Sequence, residues 1–200
     1  MYIVSACLLG ANCKYNGGNN DNEAVKDFCE GHKVLVVCPE TAGGLKAPRP
    51  PAEQVKVSSA EEKQVKASET DADPDAIRII DRDGRDVTEY FLRGAEICMK
   101  KVCAACKMPD NDTGSEITGP GSKDSTDGEN AHDVRSEDPE IPELAILKAN
   151  SPSCGSGCIY DGTFTGTLTD GDGVFARMLK DRGIKVITEN DISSFAMNTK

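Results

Sequence analysis

Met1-Tyr2-Ile3-Val4-Ser5-Ala6-Cys7-Leu8-Leu9-Gly10 opens the chain, and its first half decides the fold. Tyr2 to Ala6 is a short apolar run that ends at a cysteine, the pattern of a buried strand feeding a loop. Asn22 to Cys29 then places apolar residues at Ala24, Val25 and Phe28, a helical spacing closed by Gly31. Lys33 to Val37 is a second apolar run, ending at Cys38. Strand, helix and strand of these lengths make a β-α-β unit, which implies parallel pairing.

Later segments continue the alternation. Ile77 to Ile80 is a strand candidate, Asp83-Gly84 a hairpin turn signal, and Thr88 an N-cap for a helix running through Phe91, Leu92, Ala95 and Ile97 to about Val102. Leu144 to Lys148 is the third main strand, Gly173 to Leu179 opens a helix, and Ile184 to Ile187 is a final parallel strand after Gly183. The pattern predicts an α/β, Rossmann-like three-layer fold with a mainly parallel sheet. Residues 58–75 are polar and predict an exposed loop. From Lys107 to Glu140 the chain is rich in Gly, Ser, Asp and Glu with almost no aliphatics, which predicts an exposed, partly disordered insertion. The expected organisation is one domain over residues 1–200 carrying an insertion at 98–140.

Composition narrows the function. A formal net charge of -11 and the lack of a basic stripe argue against a surface that tracks phosphates, so no nucleic-acid partner is expected. No stretch reaches the length of a membrane span. Nine cysteines are many for 200 residues. A secreted disulfide scaffold would want a basic, apolar leader, which this start lacks, and the odd count leaves one thiol over. Metal-binding or catalytic thiols in a reducing cytoplasm follow.

Three of those cysteines, Cys7, Cys38 and Cys154, each follow a strand in a loop containing Gly, Pro or Ser. Loops leaving the carboxyl ends of parallel strands converge on one crevice, where ligands bind. Any one of the three would serve as a small buried hydrophobe, but three at equivalent positions predict a metal or iron–sulfur site with one coordination position open. Zinc would want a histidine or a fourth cysteine. His32 lies at the amino end of a strand and His132 in the insertion, so neither is placed for it. Cys13 and Cys158 lie close enough in sequence to add a ligand or to act as outer thiols. Cys98, Cys103 and Cys106 form C-x4-C-x2-C, the plant-type ferredoxin spacing, although Cys98 falls on an amphipathic helix.

Glu40, two residues past Cys38, can move protons or orient water beside a metal crevice. Ser151 and Ser153 flank Pro152 and can bond a ligand or satisfy loop amides. Arg49 and Glu53 bracket a proline-rich turn, where an ion pair pinning the loop is expected. No G-x-G-x-x-G follows the first strand and no Walker lysine is present, which excludes a nucleotide-binding loop.

Taken together, Ser5 to Gly10, Cys13-Lys14-Tyr15-Asn16-Gly17, Cys38-Pro39-Glu40 with Gly43-Gly44-Leu45, Pro48-Arg49-Pro50-Pro51-Ala52-Glu53, and Ser151-Pro152-Ser153-Cys154-Gly155 with Tyr160-Asp161-Gly162 resemble the 2-thiouracil desulfurase family. The resemblance implies a 4Fe–4S cluster held by three cysteines, matching Cys7, Cys38 and Cys154, with one open iron that takes the substrate's sulfur. It also implies Glu40 and Ser151 as catalytic residues. Glu40 would handle the proton of an attacking water and Ser151 would position the thiolated substrate. The implied partners are a small thiolated base and the sulfide released from it; a homodimer is left open. Two other functions compete with a desulfurase: a sulfur carrier using the same cluster, and a zinc or thiol module built on Cys98, Cys103 and Cys106. The region near 98–140 and Cys158 depart from the family pattern.

Overall fold

The computed structural model describes residues 1–55, 77–108 and 142–197. The expected loop at 58–75 and all but the start of the expected insertion lie outside the described residues. The chain runs β1 (Tyr2–Ser5), a 3-10 turn (Ala6–Leu9), α1 (Glu23–Cys29), β2 (Val34–Val37), α2 (Pro39–Ala42), β3 (Ala52–Val55), β4 (Arg78–Asp81), α3 (Thr88–Cys106), β5 (Leu144–Leu147), β6 (Cys158–Tyr160), β7 (Leu168–Asp170), α4 (Val174–Asp181), β8 (Val186–Thr188) and α5 (Ile192–Met197).

Four strands form a parallel sheet in the order β2-β1-β5-β8. Val4 pairs with Val36 on one side and Ile146 on the other, and Leu147 pairs with Thr188. Side chains alternate across such a strand, and the two faces separate cleanly by parity. Ile3, Val37, Ala145 and Leu147 pack with α3 and α4, while Tyr2, Val4, Leu144, Ile146 and Ile187 pack with α1 and α5. The protein is therefore a mixed α/β fold whose sheet is covered on both faces. Phe91 and Phe175 anchor the first face at 1% and 0% exposure, each contributing about 1.5–3 kcal/mol relative to an exposed ring.

Local signals explain most of the elements. Asn22 caps α1 by accepting from Val25 N at 3.1 Å, as its residue type favours. Thr88 is not the cap of α3 but its first residue. Its hydroxyl donates to Asp86 Oδ1 at 2.5 Å and accepts from Ile79 N at 2.8 Å, which ties the helix start to β4. The helix also outruns the expected end at Val102 and continues through Cys106, so residues 98–106 are core helix and not insertion. Short antiparallel ladders, β3 with β4 and β6 with β7, flank the sheet.

The path from β1 to β2 lies on one side of the sheet and the return to β5 on the other. Topology thus opens a crevice beyond the carboxyl ends of β1 and β5. One contact seats α2 beside it. A Cβ on Gly94 of α3 would meet Pro39 O at 1.9 Å, and one on Gly43 would meet Tyr90 O at 1.9 Å. Backbone lies on backbone here, so neither position accepts a side chain. Gly94→Ala is expected to cost roughly 1–3 kcal/mol by overpacking, lowering Tm by about 2–4 °C per kcal/mol in a domain of this size. A thermal melt indistinguishable from wild type would show that α2 can retreat freely.

Candidate metal centre and catalytic cavity

A cavity of about 760 Å³ occupies the crevice, lined by Cys7, Cys38, Cys154, Glu40 and Ser151 among others. They arrive on three different pieces of the fold. Cys7 sits in the 3-10 turn after β1, Cys38 and Glu40 at the start of α2 after β2, and Ser151 and Cys154 in the loop after β5. The five residues singled out in the sequence therefore meet in one space.

Cys13 joins them. It lines the cavity, and its thiol is the largest influence lowering both Cys7 and Cys38. Cys158 opens β6 and is not among the lining residues. The thiols differ in acidity for physical reasons. The bond from Cys13 holds Cys38 down to about 6, helped by the side chain and backbone N–H of Thr41 and opposed by burial. Cys7 is also lowered, first by Cys13 and against burial. Cys13, the donor of the trio, is raised by its bonds to both. Complete burial pushes Cys154 well above the ordinary thiol range, against a hydrogen bond with Ser5.

The carboxylate is held from both sides. Arg49 Nη2 pairs with Glu40 Oε2, while Ser151 Oγ donates to Glu40 Oε1 at 3.2 Å. Arg49 also donates to Cys13 O at 3.1 and 3.2 Å, linking the Cys13 loop to α2. The expected pairing of Arg49 with Glu53 does not form. Glu53 sits on β3 and instead accepts from Gly162 N and Phe164 N, both at 3.0 Å. Ser151 Oγ further accepts from Ser153 N at 3.1 Å and Cys154 N at 3.3 Å. One donor and two acceptor sites exhaust a hydroxyl, so Ser151 is fully engaged in fixing the Cys154 turn and aiming Glu40. Ser153 Oγ is buried with no hydrogen-bond partner among the described residues and is not among the lining residues.

The C-x4-C-x2-C run proves to be core. Cys98, Cys103 and Cys106 are each at most 1% exposed, on the α3 stripe with Phe91, Ala95, Met99 and Val102. Helix rise separates Cys98 from Cys106 by about 12 Å along the axis, too far for one metal centre. Burial drives Cys98 up to about 11, and Cys103 Sγ accepts from Arg182 Nη1 at 2.8 Å. His32 stacks on Tyr2 with ring centroids 4.2 Å apart, away from the cavity. Gly43 and Gly155 are not among the lining residues. The first is spent on contact with α3, and a Cβ on the second would meet Ser151 O at 2.8 Å.

The donor set suits a particular kind of group. Soft thiolates favour zinc or iron–sulfur centres. Among the described residues no three His, Cys, Asp or Glu side chains meet around a point that would hold a single metal ion. A polynuclear cluster places its thiolates on different metal atoms, so its ligands need a shared space and not a shared point. Three thiols from three strand ends around one cavity fit that demand. Residues that the sequence did not single out also line it, notably Arg82, Arg85 and Phe164. A lone aromatic in the Gly- and Thr-rich run 161–167 was the available signal for the last of these.

Comparison with known proteins points the same way. A family model described as 2-thiouracil desulfurase matches residues 2–108 and 124–191. YbbK, an uncharacterized protein of Bacillus subtilis strain 168, is 35% identical over 193 residues, covering 96% of this chain and 98% of that protein. Among solved structures, TudS, a [4Fe-4S]-dependent thiouracil desulfidase, matches with a TM-score of 0.63 at 30% identity, covering 99% of this chain and 96% of its own.

The thiol acidities are open to direct measurement. In metal-free protein, iodoacetamide should label Cys38 with a pH midpoint of about 6, because the reactive thiolate exists above that value and is lost as pH falls through it. Cys13→Ala should move the midpoint upward by removing the largest stabilising bond. Peptide mass spectrometry reads the site, and an unmoved midpoint would show that Cys13 does not set the acidity of Cys38.

Proposed function

The chain belongs to the 2-thiouracil desulfurase family, and from that membership we propose that it is a [4Fe–4S]-dependent enzyme removing sulfur from 2-thiouracil or a related thiolated base. The reaction is a hydrolysis: thiouracil and water give uracil and hydrogen sulfide with no net redox change. One observation carries the reading, the single cavity in which three strand-end cysteines face Glu40 and Ser151. We assign Cys7, Cys38 and Cys154 to hold the cluster, leaving one iron without a cysteine. Bound there, the cluster supplies a soft Lewis acid that prefers a thiocarbonyl sulfur over water or a carbonyl oxygen.

The chain's own residues then handle water and protons. Glu40 accepts a proton from the water whose oxygen attacks the thiocarbonyl carbon, and returns it to the sulfur as the C–S bond breaks. Both protons of the water leave with the sulfur, so the carboxylate ends as it began. Ser151 is a positioning residue: its hydrogen is committed to Glu40 Oε1, so it aims the base and is not free to hold the substrate while that bond stands. Arg49 fixes the second carboxylate oxygen. The partners are the small thiolated base and the sulfide; the acidic chain offers little to nucleic acid. No described helix is long and apolar enough to cross a membrane. A reducing cytoplasm suits cysteines that form no disulfide.

Glu40→Ala is expected to lower sulfide release from 2-thiouracil by at least about 100-fold, the smaller end of general acid–base contributions, with iron and sulfide content equal to wild type. Lost iron would make Glu40 structural, and full turnover would remove its role. Cys7→Ala, Cys38→Ala and Cys154→Ala should each lose the cluster after anaerobic reconstitution, whereas Cys98→Ala and Cys106→Ala should keep it. Iron retained in any of the first three breaks the ligand assignment. Sulfide release that needs a second protein would favour a sulfur carrier.

A further inference from the structure

Residues 161–167 connect β6 to β7 and bring Phe164 and Gly166 to the cavity. This loop is tied down heavily for a surface connection. Hydroxyl contacts of 2.7 and 2.8 Å run from Thr163 through Thr165 to Thr167, and Asp161 Oδ1 accepts from Thr163 N and Oγ1 at 3.0 and 2.6 Å. Glu53, only 8% exposed, accepts from Gly162 N and Phe164 N through one oxygen. Gly162, at φ +89°, lies so close to β3 that a Cβ would meet Gln54 O at 2.7 Å.

These restraints converge on an unusual residue. Phe164 has φ 57°, a left-handed conformation that a bulky side chain adopts only when its surroundings enforce it. Gly or Asn would adopt it at lower cost. Core packing does not account for the phenyl ring, because Phe164 is only partly buried and lines the cavity. Arg82 stands over it, the guanidinium carbon 5.9 Å from the ring centroid, so a planar ligand would take the other face. A rigid loop that holds a strained aromatic at a cavity wall is what a stacking platform needs.

We propose that Phe164 is the surface on which the planar ring of the thiolated base stacks, held in place by Glu53. This rests on the desulfurase reading and identifies a residue that binds its substrate. Stacking acts on the ring and not on the sulfur, so uracil should feel it as 2-thiouracil does.

The test uses anaerobically reconstituted holoprotein, with 2-thiouracil for turnover and uracil for binding by equilibrium dialysis. Phe164→Ala should raise both KM for 2-thiouracil and Kd for uracil about tenfold, as loss of one base–aromatic stack does, with kcat and iron content unchanged. Phe164→Tyr, which keeps the ring, should stay within about twofold of wild type. Unmoved KM and Kd in F164A, or a fall in kcat shared by F164A and F164Y, overturns the proposal. Failure of the desulfurase reading looks different. Wild type that binds uracil in a Phe164-dependent way yet releases no sulfide from 2-thiouracil keeps the platform and removes the reaction. Wild type that neither binds uracil nor turns over 2-thiouracil overturns both.

Discussion

Gly43, which follows α2, and Gly94 of α3 allow the backbones of the two helices to touch, and the placement of the cavity depends on that contact. Backbone-on-backbone packing has no side chain to reorient, so it transmits position without slack. Cys38 and Glu40 are thereby referenced to α3, which is itself locked by the largest apolar cluster. Arg93 of α3 adds a bond from its guanidinium to Gly43 O. A four-residue helix such as α2 has no stability of its own. It exists because α3 supplies a surface.

Polar chemistry is then laid across segments that share no secondary structure. The series Arg49–Glu40–Ser151–Cys154 joins the proline-rich loop, α2 and the loop after β5 through charge-assisted and amide hydrogen bonds. Such a series holds the Glu40 carboxylate in place and keeps the Cys154 turn at a fixed separation from it. Low dielectric strengthens each link and makes a missing one costly. The thiols are linked in a related way: Cys13 is the first cause lowering both Cys7 and Cys38.

How much of this was legible in the sequence follows from the range of each signal. β1, β2 and β5 could be read because Tyr2–Ser5, Val34–Val37 and Leu144–Leu147 are apolar runs ending at turn residues; the central strands β1 and β5 are buried throughout, while edge strand β2 leaves Val36 exposed. Strand ends located Cys7, Cys38 and Cys154, and topology did the rest. The strands of three or four residues at β3, β6 and β7 carry little periodicity, and Ala52–Val55 was hidden behind prolines. Arg49 was expected to pair with Glu53 because they are near in sequence. Its partner is Glu40, on a separate element, since β3 turns the Glu53 side chain toward the 161–167 loop. The cysteines of α3 matched a ligand spacing, but their buried positions also match the 3.6-residue period of a core stripe, and in the fold that period prevailed.

The scattering of the assigned ligands along the chain has a consequence for biogenesis. Cys7, Cys38 and Cys154 belong to three different strand ends, and β5 is inserted between β1 and β8 only after most of the polypeptide has been made. Under the assignment above, no short stretch emerging from the ribosome can capture the cofactor. Capture would wait until the loop after β5 has been made, so cofactor binding would be coupled to assembly of the sheet and not to any local segment.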